Sequence, residues 1–203
     1  MISKVNDIPV LNGLVLAGGK STRMGKPKDK INWHGKEQRY YLADLLAPFC
    51  DQVYISCRED QSLDCDPTYL FVSDSFSEIG PLAGILSAFK TNPATAWIVI
   101  ACDLPLLDRD SIENLINSRN AGKIATAYES PIDKLPEPLT AIWEPKSYPI
   151  LSDCLVTGNT SLRKALINND TLIIKPSKPE LLLNVNTPDE LLKASEIIKK
   201  TMI

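Results

Sequence analysis

The apolar segments of this chain are short and unbroken. Gly13–Ala17 reads GLVLA, Val53–Ser56 reads VYIS, Tyr69–Val72 reads YLFV and Trp97–Ala101 reads WIVIA. A strand with one wet face alternates apolar and polar residues, whereas a strand buried on both faces does not. Stretches of helical spacing separate these runs. Tyr41, Leu42, Leu45 and Leu46 share one face over Tyr40–Ala47, and Pro48 closes that stretch. Pro81–Lys90 is a second helix, with Pro81 in the first turn, where its missing N–H costs nothing. Strands alternating with helices predict a mostly parallel, mixed sheet covered on both faces: a single Rossmann-like, three-layer α/β domain over residues 1–203.

The second half continues the alternation less regularly. Lys123–Ala127, Leu139–Trp143, Thr171–Lys175 and Leu181–Val185 read as strands, and Pro131–Pro138 reads as a loop inside the domain. Asp110 and Glu113, three apart before Ile112, Leu115 and Ile116, resemble a capping box. Ser161–Ile167 reads as a helix. The closing helix starts at Thr187-Pro188-Asp189-Glu190, with a cap, a first-turn proline and a glutamate at the third position.

Composition bounds what such a domain can do. The net charge is −3, which offers no broad nucleic-acid or membrane surface. Met1–Val10 lacks the apolar core of a signal peptide, so the expected compartment is the cytoplasm. The five cysteines are scattered and form no CxxC, which argues for reduced thiols rather than a zinc site. With His34 as the single histidine, a Ser-His-Asp triad or a multi-histidine metal site has little to work with. His34, Trp33, Trp97 and Trp143 are expected in packing or loop roles.

Against that acidic background, Leu16–Lys30 reads LAGGKSTRMGKPKDK. Gly18 and Gly19 let backbone approach a ligand closely, and successive N–H groups in such a turn form a cradle for phosphate. Lys20, Arg23, Lys26, Lys28 and Lys30 surround it with positive charge. A solvated basic turn is the plainer reading, but the position directly after a buried first strand favours phosphate. Gly19-Lys20-Ser21 imitates the end of a Walker A loop, yet the first glycine of that pattern would fall at Leu14.

Asp103 follows the run Trp97–Ala101, at the end of a strand where ligands of open α/β sheets gather. A carboxylate there suits Mg²⁺, which takes one or two carboxylates and fills its shell with water and phosphate oxygens. Asp74 follows YLFVS, where an Asx-turn competes with a ligand contact. Asp29 has lysines on both sides as partners. Asn184 and Asn186 flank Val185 and, in a strand, would share a face. Arg163 and Lys164 read as a solvated helix face rather than an acceptor-phosphate site.

These segments together resemble the molybdenum cofactor guanylyltransferases, within the wider nucleotidyltransferase group. LAGGKSTRMG with Asp29-Lys30 is similar to the family's first motif. Asp74-Ser75 with Gly80-Pro81-Leu82-Ala83-Gly84 resembles its second, Cys102-Asp103-Leu104-Pro105 its metal-binding segment, and Asn184–Leu191 its C-terminal motif. The chain departs from the pattern at Gly35–Gln38, where members often have Gly-x-Pro-Leu, and at Ser56, which is Asn in some.

The resemblance implies a fold of the nucleotide-diphospho-sugar transferase type and transfer of GMP from GTP to molybdopterin, with Mg²⁺ as cofactor. It places Leu16, Ala17, Gly18, Gly19, Lys30, Asp74, Gly80, Pro81, Leu82, Ala83, Gly84 and Asp103 around the nucleotide. Asp103 would hold the metal, Lys30 and Arg23 would balance triphosphate charge, and Asn184 and Asn186 would face the acceptor. Transient contact with other cofactor-biosynthesis proteins would follow. The residues alone reach only a nucleoside triphosphate and an anionic acceptor. A sugar-phosphate or cytidylyl-type transferase, and a non-catalytic nucleotide-binding module, remain as alternatives.

Overall fold

The computed structural model describes residues 8–18, 27–58, 65–76 and 79–201. Its centre is β1 (Leu11–Leu16), which pairs in parallel with β2 (Val53–Cys57) on one side and β4 (Ala96–Ala101) on the other. β3 (Leu70–Ser73) adds to β2 in parallel. Beyond β4, β6 (Pro136–Trp143) is antiparallel to both β4 and β5 (Ala125–Glu129), and β7 (Thr171–Ile174) is parallel to β5. The seven-stranded order is β3-β2-β1-β4-β6-β5-β7. Only β6 runs against the others, as a mostly parallel, mixed sheet requires.

The period-2 geometry of β4 divides the interior into two cores. Ile98 and Ile100 join Leu42 and Leu46 of α1 (Gln38–Leu46) and Ile112 and Leu115 of α3 (Arg109–Asn117). Trp97 and Val99 face the opposite way. They meet Ile85 and Phe89 of α2 (Pro81–Thr91), Leu151 of α4 (Ser147–Val156), and Leu162 and Leu166 of α5 (Leu162–Ile167). This is the two-sided burial that the unbroken apolar runs predict. The last helix, α6 (Pro188–Thr201), buries Ala194 and Ile198. Its start is the expected capping box: Glu190 N–H donates to Thr187 Oγ1 (3.3 Å), while Glu190 Oε2 accepts from the N–H groups of Asn186 (2.7 Å) and Thr187 (3.0 Å).

Three sequence expectations need correction, and one helix lies outside them. Leu181–Val185 is not a strand: Pro179–Leu182 forms a 3₁₀ turn and the chain then runs on unpaired to α6. Its buried residues are Leu182 and Val185, three apart, a turn spacing rather than the period of a strand. Pro136–Pro138 belongs to β6 rather than to a loop. Both prolines precede Thr140, where pairing with β4 begins, so neither removes a bond from that ladder. The cap of α3 is Asp108, not Asp110. Its Oδ1 accepts from Ser111 N–H (2.9 Å) and Ser111 Oγ (2.7 Å). Finally, α4 is a helix that no sequence expectation covers; no side chain caps its start.

Two contacts set how tightly the layers are held. Gly84 of α2 lies so close to the sheet that a Cβ there would stand 2.5 Å from Ser56 Oγ and 2.7 Å from Leu16 Cδ2. Arg119, just past α3, makes a two-pronged bond to fully buried Glu144, with Nε–Oε1 2.7 Å and Nη2–Oε2 3.0 Å, and also donates to Pro9 O at 2.8 Å. Overpacking at a close helix–sheet contact costs about 1–3 kcal/mol, so Gly84→Ala is expected to lower stability by that amount in urea unfolding. Arg119→Ala strands a buried carboxylate and is expected to cost about 3–5 kcal/mol, read in the same experiment as a shift of midpoint without a change of slope.

Candidate nucleotide-binding site

The parallel registers bring four strand ends to one edge. Leu16 stands beside Ser56 and Ala101, and Cys57 beside Ser73. The chain leaves three of these strands at that edge through segments singled out in the sequence, Ala17-Gly18 after β1, Asp74 after β3 and Cys102-Asp103 after β4, and it leaves β2 through Arg58. Backbone bonds continue the ladder past the strands. Ala17 N–H donates to Ser56 O (2.9 Å), Asp74 N–H to Cys57 O (3.1 Å) and Cys102 N–H to Leu16 O (3.3 Å). Gly19 and Arg23 lie outside the described residues.

One half of the edge is built around Asp74. Its Oδ1 accepts from buried Ser56 Oγ at 2.5 Å. A Cβ on Gly18 would stand 2.9 Å from Asp74 Oδ2, so the absence of a side chain there leaves room for this carboxylate. Arg58 Nη1 donates to Gly18 O at 2.8 Å, and its charge reaches Asp74. Burial pushes the Asp74 carboxyl above its ordinary pKa, while the Ser56 bond and Arg58 pull it back. The side chain is thus turned towards Ser56 and Arg58 rather than into an Asx-turn. Gly80 adopts φ 63°, ψ −144°, which turns the chain into α2 with Pro81 at its first position. Leu82, Ala83 and Gly84 are buried in that first stretch, so what Gly80–Gly84 offers a ligand is backbone.

The other half is built around Asp103. Lys28, in the 3₁₀ turn Lys28–Lys30, places Nζ 3.7 Å from Asp103 Oδ2 and donates to Asn186 Oδ1 at 2.6 Å. Burial raises the Asp103 pKa; Lys28 is the principal opposing influence, and the charge of Glu137 pushes it further up. Val185 N–H donates to Asp103 O (2.8 Å), tying the C-terminal stretch to the β4 loop and setting Asn186 beside the carboxylate. Asn184 is exposed and, with no strand there, the shared-face argument for the two asparagines does not apply. Lys30 is also exposed, and among the described residues Lys28 is the lysine that meets Asp103.

Asp29 turns inward rather than to the flanking lysines. It lies 3.5 Å from Arg39 Nη1, both side chains being 2% exposed, and burial raises its pKa against the opposing guanidinium. Arg39 also pairs with Glu37 (2.7 Å). Neither Arg39 nor Arg58 had a sequence signal, because a lone arginine after an apolar run or inside a helix looks like surface charge. Arg163 is bound by Asp133 (2.7 Å) and Glu137 (3.1 Å), and Lys164 is exposed, in keeping with a helix-face role. Past β6 on the same edge, a cavity of about 390 Å³ opens at the ends of β5 and β7, lined by Glu129, Lys134 and Lys175 among others. Among the described residues, no group of three or more His, Cys, Asp or Glu side chains is placed to hold a metal.

Known proteins are similar to this chain in sequence and in fold. The chain is 36% identical, over 89% of its length, to the molybdenum cofactor biosynthesis bifunctional protein of Synechocystis; it spans about half of that protein (52%). It is 28% identical to the molybdenum cofactor guanylyltransferase of Pseudomonas putida, covering 91% of this chain and 97% of that one. Among solved structures, molybdopterin-guanine dinucleotide biosynthesis protein A from Archaeoglobus fulgidus superposes with a TM-score of 0.78 at 25% identity, over 93% of this chain and 99% of the other. The family model for the MobA-like NTP transferase domain matches residues 13–172, from β1 into β7. That span carries Gly18, Asp74, the Gly80–Gly84 turn and Asp103 at one sheet edge, and the chain belongs to the MobA-like NTP transferase family.

Proposed function

We propose that residues 1–203 act as one nucleotidyltransferase domain that transfers GMP from GTP to the phosphate of molybdopterin and releases pyrophosphate. The observation that carries this reading is the meeting, on one edge, of a glycine turn backed by Asp74 with a carboxylate–lysine pair at Asp103. A relative named molybdenum cofactor guanylyltransferase supports GTP and molybdopterin as the substrates.

The acceptor's phosphate oxygen attacks the α-phosphorus of GTP in line. A bond forms between that oxygen and phosphorus, and the bond to the β-phosphate oxygen breaks. A phosphate is already ionised near neutral pH, so the step needs positioning and charge balance rather than a strong base. The backbone at Leu16, Ala17, Gly18 and Gly19, with that of Gly80, Pro81, Leu82, Ala83 and Gly84, would hold the nucleotide. Asp74 would face its base or ribose. Lys30 and Arg23 would offset triphosphate charge, and Asn186, with Asn184 further out, would approach the acceptor.

Asp103 suits Mg²⁺ by its chemistry. Its carboxylate and the Asn186 amide oxygen already converge on a cation, the Lys28 ammonium, and both are hard oxygen donors. A bound Mg²⁺ would supply charge neutralisation for phosphate oxygens. No helix among the described residues is long and apolar enough to cross a membrane. A cytoplasmic setting, with transient contact to other cofactor-biosynthesis proteins and none with nucleic acid, fits the small anionic substrates.

The test is pyrophosphate release with Mg²⁺ and each of GTP, CTP, UTP and ATP, with and without molybdopterin. Release confined to GTP plus molybdopterin is expected, and Asp103→Ala should lower it by at least about 100-fold. Release with a sugar 1-phosphate instead would keep the chemistry and discard the acceptor. Nucleotide binding without release for any acceptor would make the chain a non-catalytic binding module.

A further inference from the structure

Three separate parts of the chain meet at one positive charge. The 3₁₀ turn after the first loop contributes Lys28, the end of β4 contributes Asp103, and the stretch before α6 contributes Asn186. The Lys28 and Asp103 side chains are 18% and 24% exposed, so their attraction is only partly screened by water. The ammonium is held on the oxygen donors that also suit a divalent cation.

The backbone beneath Lys28 is anchored separately from its side chain, which reaches across to Asp103 and Asn186. Asp29, the next residue, is locked inside against buried Arg39. Pro27 precedes Lys28 and fixes φ there, and the turn closes with Lys30 N–H donating to Pro27 O (3.2 Å) and Ile31 N–H to Lys28 O (3.2 Å). The lysine stem has four rotatable bonds and carries a compact point charge. Such a side chain can move its charge by several ångströms from a fixed Cα, unlike the two-pronged Arg119 or the buried Arg39.

We infer that Lys28 is a resident stand-in for the divalent cation. With no metal bound, its ammonium keeps Asp103 and Asn186 Oδ1 turned together. When metal and nucleotide arrive, it yields those oxygens and moves to the phosphates. This rests on the reading of Asp103 as the metal position. It assigns Lys28 two opposed effects: it competes with free metal for Asp103, and it assists the metal–nucleotide complex. A residue that only props up the turn would weaken both when replaced.

The experiment is a titration of nucleotide-free protein with Mn²⁺, followed by electron paramagnetic resonance, beside steady-state kinetics with GTP. Lys28→Met keeps the stem and removes the charge; Lys28→Gln is the second variant should the first fold poorly. Either is expected to bind Mn²⁺ about three- to tenfold more tightly than wild type, as removal of a partly exposed competing pair implies. In the same variants kcat/KM for GTP should fall by about tenfold or more. Lys28→Arg, which keeps the charge, should stay near wild type in Mn²⁺ affinity. Asp103→Asn should lose Mn²⁺. If Lys28→Met and Lys28→Gln bind Mn²⁺ no more tightly than wild type while Asp103→Asn loses it, the stand-in role is wrong and the metal position stands. If Asp103→Asn binds Mn²⁺ like wild type, the metal position is wrong and the stand-in role falls with it.

Discussion

The site depends on the pairing of β1 with two parallel neighbours. A central strand hydrogen-bonded on both sides and packed on both faces has almost no freedom to slip, because a one-residue shift would exchange the faces of Leu14 and Val15, which lie in different cores. The registers of β1 with β2 and β4 are therefore fixed by burial. They set Leu16, Ser56 and Ala101 level with one another. Parallel pairing requires each connection to cross back over the sheet, through α1 between β1 and β2 and through α2 between β3 and β4, so the carboxyl ends of β1, β2, β3 and β4 share an edge. The close approach of α2 at Gly84 extends this fixity outwards. Ser56 is held between the helix and Asp74, and Asp74 between Ser56 and the bare Gly18.

Carboxylates at that edge are costly to bury, and the chain meets the cost with cations from distant segments. Burial raises the pKa of Asp29, Asp74 and Asp103, and Arg39, Arg58 and Lys28 respectively oppose it. The three pairs differ in how rigid they are. Arg39 is enclosed and also tied to Glu37. Arg58 is fastened to the Gly18 carbonyl, so it holds the phosphate-side turn as well as balancing Asp74. Lys28 presents its charge as a point on an unbranched stem of four rotatable bonds. The arrangement ties down the backbone turns and, in the role inferred for Lys28, lets one charge be exchanged.

How much of this was legible follows from the range of each signal. The unbroken runs at β1, β2, β3 and β4 reflect burial, a property carried by each residue, and the sequence locates all four within a residue or two. Gly18, Asp74 and Asp103 were legible for the same reason, since each directly follows a strand. The run at Leu181–Val185 misled because apolar content alone cannot separate a strand from a turn; its buried residues, Leu182 and Val185, are three apart. Which lysine meets Asp103 was beyond sequence reasoning. Lys28 and Lys30 sit on either side of Asp29, and the 3₁₀ turn, fixed by the inward pull of Arg39 on Asp29, leaves Lys28 against Asp103 and Lys30 exposed. Long-range partners decide that outcome, and neither Arg39 nor Asn186 is near in sequence.

The single histidine completes the argument about what chemistry the edge can support. His34 donates from Nε2 to Pro105 O at 2.8 Å and stacks on Tyr41 at 3.8 Å between ring centroids. A carbonyl can only accept, so Nε2 carries the proton. Burial lowers the pKa of His34, opposed by the Pro105 bond. The ring is thus committed to holding the segment that follows Asp103 and is not free to shuttle protons at the site. A reaction whose nucleophile must be deprotonated by the protein would lack its usual base here. A reaction whose nucleophile is a phosphate oxygen needs none. For such a reaction the relevant property is where positive charge sits before and after the nucleotide binds, and the lysine poised on Asp103 and Asn186 is the part of the molecule that can change that.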